Sequence, residues 1–187
     1  MSFTFTKTKR GYNMSVVTVA EVKALGRISG TNQDTLVQDL IDSAESYVEA
    51  FCQIKLTSEA SSEDLDGGGY YLLPSRKPVT AVTSVAEDGE AVDADDYGFE
   101  EFGLFRDDEY QWTAGKQLFA VTYTGGYVDV PAALKIAIRQ MALRGYINFE
   151  AKESSDESNR ESKWQGLWNG NDIAAMLEQF SQKSILD

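Results

Sequence analysis

Residues 119–131 read FAVTYTGGYVDVP. Phe119, Val121 and Tyr123 alternate with Ala120, Thr122 and Thr124, the period-two pattern of a strand with one buried face. Gly125 and Gly126 follow, and Pro131 stands where apolar residues begin to recur at helical spacing. Proline suits the first turn of a helix, where its missing N–H would have no partner. Leu134, Ile138, Met141 and Tyr146 make the stripe of that helix, with Lys135 and Arg139 as an i,i+4 pair on another face. The stretch therefore predicts a strand that turns sharply into a long helix.

Glycines between a strand and a helix also cradle phosphate in nucleotide-binding proteins. The Walker pattern needs Gly-Lys-Ser/Thr at this point, and here Tyr127-Val128-Asp129 follow the glycines. The dinucleotide pattern needs a third glycine opening the helix, and that position is absent. Asp129 beside the helix start would repel an anion while favouring the helix dipole itself. Gly125, Gly126 and Pro131 are thus expected to shape a structural turn, the glycines supplying φ > 0.

Upstream, Thr18 and Glu21 form the T-x-x-E pattern of a capping box, and Gly26 sits where a C-cap would be, so Thr18–Leu25 reads as a short helix. A longer helix begins at 31–34. Its stripe is Leu36, Leu40, Ile41, Ala44, Tyr47, Val48 and Phe51. Residues 57–69 (TSEASSEDLDGGG) are polar and glycine-rich and read as a loop. The β-branched run 79–85, flanked by Pro78, reads as a strand, and Asp88-Gly89 signals a hairpin whose returning limb is Glu90–Val92. Tyr97–Phe99 and Leu104–Phe105 add short strands. Beyond the second helix, 151–163 (AKESSDESNRESK) read as a solvated linker. Asn171 could cap a terminal helix with Ile173, Met176, Leu177 and Phe180 on one face.

The expected class is α+β: a small helical bundle with an inserted antiparallel β subdomain and a C-terminal docking tail. Its parts are a flexible arm over 1–13, a helical part over 14–65, and a β-rich insertion over 66–125. The second main helix, 126–150, completes the helical core, and 151–187 hold the linker and C-terminal helix. At 187 residues, such a chain should bury roughly 70% of its unfolded surface. With 42% hydrophobic and 25% charged residues it is globular rather than disordered.

Charge and composition remove several function classes. The net charge is −13, and residues 59–110 hold 15 of the 30 acids but 3 of the 17 bases. A free-standing DNA-binding domain needs Lys and Arg to displace counterions, so affinity for nucleic acid is not expected. No run of about 20 apolar residues suggests a membrane span. The basic start, MSFTFTKTKRGYNMS, lacks the apolar core of a secretory signal. The single cysteine, Cys52, allows no internal disulfide, fits a reducing compartment and is expected as a buried thiol.

The chain has no histidine, which removes the commonest general base and most zinc sites. Carboxylate chemistry would fall to Asp93-Ala94-Asp95-Asp96 or Glu100-Glu101, but a general acid needs burial and these lie in polar, turn-rich sequence. Two EF-hand registers fail as well. A loop from Asp93 places Tyr97 at its fifth position and Leu104 at its twelfth, and one from Asp64 places Ser75 at its twelfth. No catalytic, cofactor or metal residue is expected. Trp164 and Trp168 lie in polar, glycine-containing sequence, where they either pack back on the core or anchor a partner.

The segments LVQDLIDSAESYVEAFC (36–52), YLLPSRKPVTAVTSV (71–85) with DADDYGF (93–99), and VTYTGGYVDVPAALKIAIRQMALRGY (121–146), in that order, resemble the head–tail connector (adaptor) proteins of tailed bacteriophages and prophages. The likeness spans roughly 36–149. The N-terminal arm, the acidic 57–69 segment and the Trp-containing tail depart from the family pattern. The resemblance implies a non-enzymatic virion protein of the neck, present in the host cytoplasm during assembly. It would form a homo-oligomeric ring, commonly twelvefold, beneath the portal protein, extend the DNA channel without specific DNA binding, and receive stopper or tail proteins. From the residues themselves, partner contacts to the portal or a neighbouring subunit are expected of Trp164 and Trp168 as interface anchors and of Ile173, Met176, Leu177 and Phe180 as the apolar face of a docking helix. Tail completion, capsid decoration and carboxylate-dependent catalysis are the alternatives.

Overall fold

The computed structural model describes residues 15–107, 110–153 and 170–181. Its elements run α1 (Val19–Gly26), α2 (Asp34–Cys52), β1 (Glu59–Leu65), β2 (Tyr71–Leu72), β3 (Val79–Glu87), β4 (Glu90–Ala91) and a 3₁₀ turn (Ala94–Asp96). Then come β5 (Tyr97–Glu100), β6 (Gly103–Arg106), β7 (Phe119–Gly125), α3 (Ala132–Glu153) and α4 (Gly170–Glu178). Helices and antiparallel sheets divide into two packed units, so the α+β class holds. The expected arm over 1–13 lies outside the described residues.

The capping box forms as the sequence predicts: Glu21 N–H donates to Thr18 Oγ1, and Thr18 N–H donates back to Glu21 Oε2 at 2.8 Å. The helix ends differently. Arg27, not Gly26, takes the left-handed C-cap conformation (φ 53°), while Gly26 lets α3 pack close, a Cβ there standing 2.5 Å from Leu143 Cδ1. In α2 the buried stripe is Val37, Ile41, Ala44, Val48 and Cys52. Tyr47, expected inside, is exposed and stacks on Phe51, because α3 packs about one residue round the helix from the face expected. With Leu134, Ala137, Ile138 and Ala142 of α3 these residues form one apolar core.

The second core belongs to the sheets. One sheet has the order β1-β7-β3-β4, the other β2-β6-β5, all antiparallel. The 57–69 loop expectation fails here: Glu59–Leu65 form a seven-residue strand paired with β7 from Glu59↔Gly125 to Leu65↔Phe119. Its inward residues include Glu63, whose carboxylate accepts from Tyr123 Oη and from Ser75 N–H (2.8 Å). A polar residue thus fills an interior-facing position by hydrogen bonding rather than by hydrophobicity. Trp112 anchors this core. It is 1% exposed, meets Phe119 edge-on at 5.0 Å, lies under Arg106, and donates from Nε1 to Leu104 O at 3.2 Å.

The two segments that cross between the units meet the Lys77-Pro78 segment before β3, and backbone hydrogen bonds stitch the three together. Lys55 N–H donates to Lys77 O, Tyr127 N–H to Lys55 O, and Gly126 N–H to Pro78 O (2.6, 3.1 and 2.8 Å). The insertion therefore enters and leaves the helical unit through one narrow seam.

Candidate functional site

The seam holds the corner that the sequence singles out. Gly126 has φ +99°, and a Cβ there would stand 2.1 Å from Thr57 O. A Cβ on Gly125 would stand 2.1 Å from Arg76 O. Both glycines are therefore required by close backbone approach, and Gly126 by conformation as well. Pro131 sits one residue before the helix, its carbonyl accepting from Lys135 N–H at 3.2 Å. Asp129 is exposed beside that helix start.

Arg76 closes the corner from the β side. Its guanidinium donates to Thr57 O (2.9 Å) and pairs with Glu59 (2.6 Å), while its N–H donates to Tyr123 Oη (3.0 Å). Burial, with the Glu63 hydrogen bond second, pushes the Tyr123 phenol above its ordinary range. Lys77, two residues before β3, is buried at 8% exposed, and loss of hydration lowers its pKa. Sequence reading missed Lys77. The only signal was that it is one of three bases in an acid-rich stretch.

The C-terminal residues fall in two groups. Trp164 and Trp168 lie outside the described residues. Ile173 and Leu177 are buried in this chain's own helical core, with Phe180 partly buried against it and Met176 half-buried. Leu177 O accepts from Cys52 Sγ at 3.5 Å, and burial pushes that thiol up to about 11. The contacts of the α4 face are thus intramolecular, because the apolar stripe of a nine-residue helix finds its partners on α2 and α3. Asn171, expected as a cap, is the second residue of the helix, and 151–153, expected in the linker, still belong to α3.

The acidic clusters stay apart and wet. Asp93, Asp95, Asp96, Glu100 and Glu101 are all exposed, and Asp93 Oδ1 spends its hydrogen bond on Asp95 N–H at the start of the 3₁₀ turn. Among the described residues no three His, Cys, Asp or Glu side chains come together as metal ligands, and no helix is long and apolar enough to cross a membrane. Burial raises the pKa of Glu45, and its Oε1 is engaged by Val16 N–H and Val17 N–H (2.8 and 3.3 Å). What this arrangement offers is surface: an acidic β unit, a seam and a helical unit.

Comparison with solved structures finds the same fold in phage-like particles. A chain in the neck of an empty GTA particle computed with C6 symmetry matches with a TM-score of 0.56 at 14% identity, covering 87% of this chain and 88% of that one. A chain of the virion of the native gene transfer agent particle matches at 0.56 and 15% identity, covering 87% and 88%. One in the neck of the native particle computed with C12 symmetry matches at 0.52 and 14%, covering 85% and 87%. None of the curated proteins matches. The head completion protein family model matches residues 15–162, which takes in the two main helices, the β insertion and the seam between them, and the chain accordingly belongs to the head completion protein family.

Proposed function

We propose that this chain is a structural protein of the neck of a tailed, phage-like particle, a head–tail connector working by assembly rather than catalysis. The observation that carries this reading is the family match over residues 15–162. The solved neck assemblies with C6 and C12 symmetry support a ring. Twelve copies beneath the portal would extend the DNA channel and present a rim to stopper or tail proteins. A ring multiplies the charge of −13 per subunit. Acidic side chains on the channel wall would repel the phosphate backbone, so DNA slides without adhering. Trp164 and Trp168 serve as partner anchors, and Met176 and Phe180, which keep exposed area, extend that contact. Ile173 and Leu177 hold α4 in place behind it.

The test is reconstitution of the full chain on portal-bearing capsids, imaged by electron microscopy. The expected result is a closed ring under the portal, with the acid-rich 59–110 segment facing the lumen. Attachment at other capsid sites, or a ring with that segment on its outer rim, overturns the corresponding part. The double substitution Trp164→Ala/Trp168→Ala should abolish attachment while the melting temperature stays within a few degrees of the parent.

A further inference from the structure

Beside the seam lies a cavity of about 450 Å³. Its lining includes Ser46, Glu49 and Gln53 from the end of α2, Lys55 beyond it, and Ser75 and Lys77 before β3. The carboxylate of Glu49 is already used: Oε2 pairs with Lys55 Nζ at 2.8 Å and Oε1 accepts from Leu56 N–H at 3.0 Å. Lys77 is 8% exposed, yet among the described residues nothing accepts a hydrogen bond from its ammonium group and no carboxylate pairs with it. A buried cation without a counter-charge carries a desolvation cost that the described residues do not offset. The cavity is therefore charged for a carboxylate that another group must supply.

A matching donor lies at the other end of the same strand. β3 begins two residues after Lys77 and ends at the hairpin tip Glu87-Asp88-Gly89-Glu90. Asp88 (φ 49°) and Gly89 (φ 86°) make a tight turn with both central residues at positive φ, which leaves the acids of the tip directed outward. Asp88 and Glu90 are exposed, and neither has an ion-pair partner among the described residues. At about 3.3 Å per residue the strand separates tip and cavity by roughly 30 Å, so they do not meet within one chain. Two unlike, complementary patches at opposite ends of one strand are what a head-to-tail contact requires, and such a contact closes into a ring where the rotation between copies returns to the start.

We propose that the Lys77 cavity is a carboxylate receptor for a neighbouring copy of this chain, filled by that copy's Asp88/Glu90 hairpin tip. This rests on the ring reading given above. Lys77 supplies the uncompensated positive charge, since Lys55 is paired with Glu49 and the Ser46 hydroxyl donates to Asp42 O, and the Gln53 side-chain amide supplies hydrogen-bond donors beside it.

Two full-length variants test it, Ser46→Cys at the cavity rim and Asp88→Cys at the tip, mixed and oxidised. Cys52 stays out of the reaction because its buried thiol is pushed up to about 11. The expected product is a covalent heterodimer at least tenfold above that from Ser46→Cys mixed with Thr83→Cys, whose exposed side chain lies midway along β3. Adding Lys77→Met to the Ser46→Cys chain should cut the yield several-fold while the circular dichroism spectrum is kept. Lys77→Gln serves the same purpose if the Met variant does not fold. A yield equal to the Thr83→Cys control, or one unmoved by removing the Lys77 charge, overturns the proposal. The two levels also separate. Rings of wild-type mass from Lys77→Met retain the connector reading and sink the receptor. Wild-type chains that form no ring at the portal sink the connector reading, whatever the cross-linking shows.

Discussion

The helical and β units are held together by different kinds of information. In the helical unit, each helix carries its own apolar stripe and the partners lie on the neighbouring helices, as with Val37, Ile41 and Val48 against Leu134 and Ile138. In the β unit, strands are joined to partners far along the chain: Ser62 Oγ lies 3.1 Å from Thr122 Oγ1, 60 residues away. The β core also depends on polar groups that are satisfied only after folding, such as Glu63 on Tyr123 and Trp112 on Leu104. Local sequence therefore specifies one unit strongly and the other weakly, although they are similarly well buried.

The largest expected effect tests whether the two units nevertheless stand or fall together. Trp112→Ala removes the largest fully buried side chain of the β core and the Nε1–H bond to the Leu104 carbonyl. The cost should be about 3–5 kcal/mol, as for other buried aromatic truncations. For a chain of this length that lowers the melting temperature by roughly 6–20 °C. Because both crossings are hydrogen-bonded at the seam, amides of α2 and of β7 should lose hydrogen-exchange protection together. Loss confined to the sheets, with α2 and α3 as protected as before, would break the comparison by making the units independent.

The same difference decides what could be read from the residues alone. The two long helices, the Thr18 capping box, the Asp88-Gly89 hairpin and β7 are each announced by a pattern within a dozen positions. β1 is not, because Ser, Glu and Asp occupy a strand whose outer face is wet and whose inward Glu63 is satisfied by hydrogen bonds from distant residues. Tyr47 was expected inside because its spacing fits, but spacing fixes a face only to within about one residue, and the packing of α3 chose Val37. Trp112, in a stretch with no period, gave no local sign of anchoring a core. The corner glycines were legible as a turn, whereas the cavity beside them arises only where 46–55 and 74–77 converge.

Gly126→Ala probes the seam itself, with a cost expected at about 3 kcal/mol from positive φ together with a backbone clash against Thr57 O. It should weaken both units by the same amount, since the strain falls on the segment they share. Chemical denaturation followed by far-ultraviolet dichroism and by tyrosine fluorescence reads this out as coincident, shifted transitions. Transitions that separate would assign the seam to one unit. No ligand affinity should change, as the corner binds a backbone carbonyl rather than phosphate.

The smallest effects sharpen the comparison from within the helical unit, where two carboxylates near the start of α1 have opposite signs. Glu21 is held below the ordinary carboxylate range, first by the Thr18 N–H bond and then by the Thr18 hydroxyl. Its folded value is depressed, so its contribution is present above the unfolded value and disappears as pH falls through the folded one. Glu45 is raised, because burial outweighs the bonds from Val17 and Val16. Its contribution is complete below the unfolded value and declines as pH rises through the folded one. Glu21→Gln should therefore destabilise by about 0.5 kcal/mol at pH 7 and be neutral in acid, given its exposure to solvent. Glu45→Gln should be neutral in acid and stabilise by less than about 1 kcal/mol at pH 7, provided the amide oxygen keeps the Val16 bond. Urea denaturation of both variants at pH 3.5 and pH 7 decides it. If Glu45→Gln is the less stable protein at pH 7, the two backbone bonds outweigh burial, and Glu45 is a clamp of the same kind as Glu63 in the sheet.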